Sequence, residues 1–293
     1  MFGGEEIVNG ILELGLKGVE LEYRIGNRVF RQMKPKLKKV LRVLTIHNFF
    51  PLPEGTPLDR GSGDLFLLSS TDSEERSKAV KYTIRTLEHA HDLGAKAVIL
   101  HLGRVDMPSP ALDFLRLYRS GKIGETEGLA FVKKQERIRE ASKKNNLDAV
   151  LLSLDKLNGE AEKRGILLGI ENRYHSHEIP DLEEIGLILG KFKGGSIRYW
   201  HDVGHAMAQQ NMGLNTQREL LERYSEEMIG IHLHDVRGLE DHLAPGQGDV
   251  DYSQVKDFMK PSTIRVLEVH AKVNRRELLK GIRLLKKTLL IAE

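Results

Sequence analysis

The chain has 293 residues, 40% of them hydrophobic and 30% charged, and its 45 basic and 42 acidic side chains leave a formal charge of +3. It contains no cysteine, which excludes disulfides, cysteine zinc fingers and thiol catalysis. The near-neutral balance argues against a nucleic-acid partner, because proteins that bind nucleic acid usually carry a clustered basic excess. The first residues do not resemble a signal peptide, and no segment approaches the ~20 apolar residues that span a bilayer, so we expect a cytoplasmic protein.

Short apolar segments that end in polar residues recur along the chain and predict seven strands. They are Gly18–Tyr23, Val43–His47, Ala97–His101, Ile166–Asn172, Ile197–Asp202, Met228–His234 and Ile264–His270. Such runs are typical of strands that are buried on both faces of a parallel sheet. Amphipathic helical segments lie between most of them, as at Glu74–Leu93, where a capping box over Thr71–Glu74 predicts the start and Gly94 the end. The alternation predicts a TIM-type (β/α) barrel of parallel strands, formed by a single domain over residues 1–293.

The first strand of an eightfold barrel is not recognisable in this sequence. The chain opens with a helical segment, Glu5–Leu16, so either the barrel closes with seven strands or its N-terminal strand is absent from the sequence. Two stretches are predicted to be long irregular loops, Asn48–Asp64 and Gly103–Asn146. In a barrel both would follow strands and would lie at the C-terminal face, where loops build active sites.

Charged and imidazole side chains stand at or near the ends of the predicted strands. They are His47, His101, Glu171, Asp202, His232, His234 and Glu268. Buried carboxylates that face one another are costly unless a cation lies between them. The set therefore predicts a divalent metal site with carboxylate and imidazole ligands, which suits Mn, Fe, Co, Zn or Mg. Taken singly, Glu171 and Glu268 could instead be ion-pair partners of Arg173 and Lys272.

Four motifs carry a resemblance to a known family. Ile170–Asn172, His201–His205, His232–Asp235 and Leu267–Glu268 resemble the xylose-isomerase-like TIM-barrel superfamily of sugar isomerases, sugar epimerases and type IV apurinic endonucleases. The resemblance implies that Glu171, Asp202, His232 and Glu268 hold one divalent metal, with His234 as the alternative imidazole. His232 is favoured because it stands three residues before Asp235, as in the His-x-x-Asp pattern of the family.

The resemblance also implies an activity. It is the isomerisation or epimerisation of a small sugar, sugar phosphate or hydroxy-ketone through an enediolate, with Glu171 and Glu268 as the acid–base pair. Candidate substrate-binding residues are His47, His101, His205, Arg173 and His177. Arg173 and His177 lie in the loop at 172–180, which could take a phosphate or carboxylate of the substrate.

Two alternatives remain open at this point. A type IV-like apurinic endonuclease would use three zinc ions, with His101, His205, His242 and Glu240 as further candidate ligands. One zinc-binding His of that family is missing, since Ser69–Asp72 stands in its place, and the loop Asp241–Gly248 could instead bind a sugar. A barrel without catalytic activity, binding a ligand or partner, is the other alternative, because the strand edges of an incomplete barrel would favour a homo-oligomer.

Overall fold

The computed structural model describes residues 3–289, and the predicted strands are all present in it. The strands are β1 (Gly18–Leu21), β2 (Arg42–His47), β3 (Ala97–Leu100), β4 (Leu167–Glu171), β5 (Ile197–Asp202), β6 (Met228–Leu233), β7 (Asp235–Arg237), β8 (Glu240–Leu243) and β9 (Ile264–Leu267). Seven of them form one parallel sheet in the order β1-β2-β3-β4-β5-β6-β9, while β7 and β8 form an antiparallel hairpin. This confirms the predicted fold class.

Helices lie between most of the strands of the parallel sheet. They are α1 (Gly4–Glu13), α2 (Asn27–Met33), α3 (Ser73–Leu93), α4 (Ala111–Arg119), α5 (Thr126–Ser142), α6 (Lys144–Arg164), α7 (Leu182–Lys191), α8 (Val203–Asn211), α9 (Gln217–Tyr224), α10 (Tyr252–Lys256) and α11 (Arg275–Thr288). Within residues 3–17 the structure has α1 and no strand, as the sequence predicted. No helix in the described range is long and apolar enough to cross a membrane.

Helix α3 shows how local chemistry sets the ends of these elements. The side chain of Asp72 accepts a hydrogen bond from the backbone N–H of Glu74 at 2.8 Å, which satisfies one of the free donors of the first turn. The cap is therefore Asp72, and the predicted capping box that begins at Thr71 was wrong by one residue. Gly94 ends the helix with φ of 71°, a left-handed conformation that favours glycine.

The described residues fall into two compact units, each assembled from separate parts of the chain. The first comprises 3–103, 145–170 and 188–198, with β1 to β3, most of β4, α3 and α6. Its interior includes Leu68, Leu87 and Ile99, and the hydroxyl of Ser153 on α6 donates to the carbonyl of Leu68 at 2.9 Å. The prediction of a single domain stays a prediction.

The second unit comprises 104–144, 171–187 and 199–289 and contains every residue of the candidate metal centre. The segment 104–144 of this unit contains helices α4 and α5. The sequence analysis was wrong here, because it predicted an irregular loop over Gly103–Asn146. Most of that stretch is helical. Phe114 on α4 and Val132 on α5 are buried in one apolar cluster with Ala208 of α8 and Met212, which directly follows α8. The glycines that suggested a loop lie mainly in the short connection between the two helices.

The hairpin of β7 and β8 follows β6 directly within the second unit. Gly238 makes its turn with φ of 63°, and the carboxylate of Asp235 accepts hydrogen bonds from the backbone N–H groups of Val236, Gly246 and Val250. Part of the predicted loop Asp241–Gly248 is thus strand β8. The two bonds from Gly246 and Val250 hold the remaining turn in place beside the hairpin.

Candidate metal centre

Four side chains from four strands converge in the second unit. Glu171 and Asp202 are the last residues of β4 and β5, His232 lies on β6, and Glu268 follows β9. The Nδ1 atom of His232 lies 2.7 Å from Oε1 of Glu171, 3.5 Å from Oδ2 of Asp202 and 3.1 Å from Oε2 of Glu268. One potential ligand atom from each residue lies within 4.8 Å of those of the other three. The geometry brings together the four residues that the sequence singled out as ligands.

The negative charge of the three carboxylates in this group favours a bound cation. Glu171, Asp202 and His232 are buried, and the side chain of Glu268 is 23% exposed. Burial would raise the pKa of Asp202, but the imidazoles of His205 and His234 outweigh it and hold that pKa well below its ordinary value. Three carboxylates around one imidazole nitrogen repel one another in a low-dielectric interior, and a divalent cation removes that cost. The donor set of oxygen and one nitrogen therefore fits a divalent metal.

The hydrogen bonds of His232 and His234 differ, although both histidines were candidate ligands. The Nε2 atom of His234 lies 2.9 Å from Oδ1 and 3.0 Å from Oδ2 of Asp202, and its Nδ1 atom accepts from the backbone N–H of His242 at 2.8 Å. Both ring nitrogens of His234 are therefore engaged within the protein. The geometry places His232, and not His234, in the group of four.

A second group of potential ligands lies in the same unit. His205, Asp241 and His242 each offer an atom within 4.8 Å of the other two. The sequence analysis named Glu240 as a candidate ligand, but Glu240 is exposed and pairs with Lys272, and it is Asp241 that lies in this group. The chain departs from a regular strand at this point, since His242 has φ of 52°.

Of the two ion pairs offered as the simpler explanation of the glutamates, the pair of Arg173 and Glu171 is present only at long distance, and Lys272 has another partner. Arg173 makes its close contact with Glu178 at 2.9 Å and lies 4.0 Å from Oε2 of Glu171. Lys272 pairs with Glu240 instead of Glu268. Pairing with Lys272 therefore does not account for the position of Glu268, and Arg173 is a more distant partner of Glu171 than His232 is.

The remaining candidate substrate residues lie in two places. His47 and His101 form an edge-to-face pair in the first unit, with ring centroids 4.8 Å apart, and Nδ1 of His101 lies 2.8 Å from a carboxylate oxygen of Asp64. In the second unit, Arg173 and His177 are buried. Burial lowers the pKa of His177, which keeps its imidazole neutral near pH 7. The role of all four residues in substrate binding stays a prediction.

Sequence reasoning missed a hydrogen-bond chain that holds the backbone at Asp202. The amide of Asn172 accepts from the N–H of Asp202 at 2.8 Å and donates to its carbonyl at 2.9 Å. The hydroxyl of Tyr199 donates to the same amide at 3.0 Å and lies 2.7 Å from Nδ1 of His201. Burial lowers the pKa of His201 to about 4, so this ring stays neutral. The signal available in the sequence was the spacing of Tyr199 and His201, which places both on one face of β5.

Comparison with known proteins identifies the family. The family described as xylose isomerase-like TIM barrel matches residues 9–288. The chain belongs to the xylose isomerase-like TIM-barrel family. This confirms the resemblance on which the sequence analysis relied. Among curated proteins, no sequence matches the chain significantly.

Solved structures show the same fold at low sequence identity. The chain is similar to a 3-keto-D-glucoside 4-epimerase from E. coli, with a TM-score of 0.68 and 14% identity over 98% of this chain and 95% of that one. It is also similar to a D-psicose 3-epimerase with D-tagatose from Clostridium cellulolyticum, with a TM-score of 0.67 and 11% identity over 99% and 94%. A third similar protein, IolI with a binding zinc atom, has a TM-score of 0.63 and 12% identity over 98% and 93%. At these identities the likeness is one of fold.

Proposed function

We propose that this member of the xylose isomerase-like family is a divalent-metal-dependent isomerase or epimerase of a small sugar, sugar phosphate or related hydroxy-ketone. The observation that carries the proposal is the convergence of Glu171, Asp202 and Glu268 on Nδ1 of His232. These four residues would hold the metal. Two of the similar structures are epimerases of sugars or sugar derivatives and a third holds zinc, which supports this class of substrate and cofactor.

The two glutamates are suited to proton transfer because they come from different strands and meet at one imidazole. A bound divalent cation would polarise the carbonyl and the neighbouring hydroxyl of the substrate. This acidifies the C–H proton on the carbon that bears the hydroxyl. Glu171 or Glu268 then removes that proton from one side, and the other glutamate returns one from its own side. Return to the same carbon gives an epimer. Return to the former carbonyl carbon, together with transfer of the hydroxyl proton to the former carbonyl oxygen, gives an isomer.

Asp202 and His205 have different tasks in this scheme. The carboxylate of Asp202 accepts from the backbone N–H of His205 at 2.7 Å and from His234, so it is held as a ligand and is poorly placed to move a proton. The imidazole of His205 donates from Nδ1 to the carbonyl of Asn172 at 3.0 Å, which leaves its Nε2 atom for a substrate hydroxyl.

Interconversion of ketoses tests the proposal. Metal-replete protein is incubated with a panel of ketopentoses, ketohexoses and their phosphates, and the products are separated by chromatography. We expect one epimer or isomer to form, and Glu171→Gln or Glu268→Gln to slow its formation by about 10²–10⁴-fold. Glu222→Gln removes an exposed carboxylate that pairs with Arg218 on α9 and serves as the matched control. No product from any member of the panel, with metal bound, would favour a barrel that binds without catalysis.

The second candidate function is metal-dependent phosphodiester hydrolysis. The group of His205, Asp241 and His242 favours it, because a further cation could bind there, and a type IV apurinic endonuclease uses several. Zinc-loaded protein is tested on a duplex with an abasic site at low salt, beside Asp241→Asn. Incision that this variant abolishes would favour the hydrolase. Absence of incision with zinc supplied would discard it.

A further inference from the structure

We propose that His234 is a positioning residue that orients the carboxylate of Asp202 and couples it to the hairpin of β7 and β8. The inference rests on the metal centre of the proposed function and adds to it a residue that is not itself a ligand. It makes the affinity for the metal depend on where the hairpin lies.

The first step is the hydrogen bond from the imidazole to the carboxylate. Nδ1 of His234 accepts from the backbone N–H of His242, so the ring proton of the neutral imidazole must be on Nε2. That N–H faces both oxygens of Asp202, at 2.9 and 3.0 Å. A ring held in this tautomer can only donate to the carboxylate. The imidazole of His234 therefore fixes the orientation of the Asp202 carboxylate relative to His232 and the two glutamates.

The second step is the attachment of the same ring to the hairpin. The imidazoles of His234 and His242 are stacked, with centroids 4.1 Å apart and planes inclined by 17°. The backbone carbonyl of His234 accepts from the hydroxyl of Tyr252 at 2.9 Å. Ring and backbone are thus both held, and β8, which carries His242, is bonded to the ring that orients Asp202.

The third step is the space that the chain leaves for this ring. A Cβ atom at Gly204, in the first turn of α8, would lie 1.9 Å from Cε1 of His234. Any side chain at position 204 would therefore push the imidazole of His234 away from Asp202. Asp202 lies only two residues before Gly204 in the sequence. The glycine of the motif His201–His205 is explained by the close approach of His234, since its φ is not one that requires glycine.

Three substitutions of His234 separate its two hydrogen bonds. Gln places an amide nitrogen near the position of Nε2 and keeps the donor to Asp202, whereas Asn places an oxygen near Nδ1 and keeps only the acceptor for His242. Leu keeps neither. We expect His234→Leu and His234→Asn to weaken Zn²⁺ binding by about 10–100-fold, as is usual when a residue that supports a metal ligand is lost, and His234→Gln to restore most of the affinity.

The measurement is equilibrium dialysis with Zn²⁺, together with the visible absorption spectrum of the Co²⁺-loaded protein, which reports the geometry of the ligands. His91→Gln, an exposed histidine of α3, is the matched control and should bind like the wild type. If His234→Leu does not fold, the comparison of Gln with Asn still decides. Equal affinities and identical Co²⁺ spectra for Gln, Asn and wild type would overturn the proposal.

The outcome for His234 is separable from that of the proposed function. Wild type that binds metal but converts no ketose contradicts the isomerase and leaves the role of His234 measurable by affinity and spectrum. Wild type that converts a ketose while the His234 variants bind metal normally contradicts only this inference. Wild type that binds no metal contradicts both.

Discussion

The indole ring of Trp200 packs edge-on against the imidazole of His232, with ring centroids 5.1 Å apart. Trp200 is fully buried and is the only tryptophan of the chain. Gly230 provides room for it, because a Cβ atom at that position would lie 1.9 Å from Cζ3 of the indole. The chain therefore carries a single indole fluorophore, and it contacts a residue of the candidate metal centre.

Metal binding is expected to change the fluorescence of Trp200. A Co²⁺ ion held by Glu171, Asp202, His232 and Glu268 would quench the indole strongly, because quenching by this ion is effective at short range. Titration of metal-free protein should give a saturable loss of emission that excess Zn²⁺ reverses. The double variant Glu171→Gln/Glu268→Gln should need far more Co²⁺. Equal quenching of this variant would show that the metal binds elsewhere.

The packing around Trp200 leads to a prediction on stability. Gly230→Ala forces the indole to move, and we expect it to lower the free energy of unfolding by about 1–3 kcal/mol, as overpacking does. Gly159 on α6 has no atom within 4 Å of the position of a Cβ, so Gly159→Ala should raise stability by up to about 1 kcal/mol. Urea denaturation measures both. Effects of the same sign would contradict the assigned packing.

Arg139 is expected to be essential for the stability of the second unit. Its guanidinium donates to both carboxylate oxygens of Glu184 at 2.8 and 2.7 Å and also contacts Asp181, and the side chain is only 8% exposed. Arg139→Met leaves the carboxylate of Glu184 buried and without its cation, which costs about 3–5 kcal/mol. Arg218→Met removes an exposed pair on α9 and should cost less than about 1 kcal/mol. Comparable midpoints for the two variants in urea would refute this.

His89 is expected to make stability depend on pH. It packs against the rings of Phe30 and Phe50, and burial, assisted by the nearby cation of Arg85, lowers its pKa in the folded protein. As the pH falls, His89 is protonated in the unfolded chain before it is protonated in the folded protein. The contribution of neutral His89 to the free energy of unfolding is therefore complete above about pH 6.5 and is lost as the pH falls below it. His89→Phe should lose less stability than the wild type between pH 8 and pH 5.5 in urea titrations. An equal loss in both proteins would show that His89 does not titrate in this way.

Much of the fold and of the metal group was predictable because it depends on local patterns. Glu171 and Asp202 end continuous apolar runs, and a parallel sheet brings such ends together without any further information. The long helices of 104–144 were missed for a related reason. Glycines at 121 and 124 suggested a loop, whereas the apolar spacing of Phe114 and Leu117 indicates a helix.

The details that depend on tertiary contacts were not predictable. His232 and His234 are two residues apart and equivalent by alternation, and only the hydrogen bonds to Asp202 and from the hairpin separate their roles. Asp241 and Glu240 are neighbouring acids, and it is Asp241 whose carboxylate lies close to the ring nitrogens of His205 and His242. Their spacing in the sequence does not distinguish the two.

The most direct test of the proposed chemistry is the exchange of a substrate proton with solvent. Metal-replete protein is placed in deuterated water with a panel of ketoses, and the signal of the hydrogen on the carbon next to the carbonyl is followed by ¹H NMR. Our account predicts that this signal disappears for at least one ketose, at a rate that Glu171→Gln and Glu268→Gln each lower by about 10²–10⁴-fold. Retention of the signal for every ketose, by protein with the metal bound at Glu171, Asp202, His232 and Glu268, would contradict it.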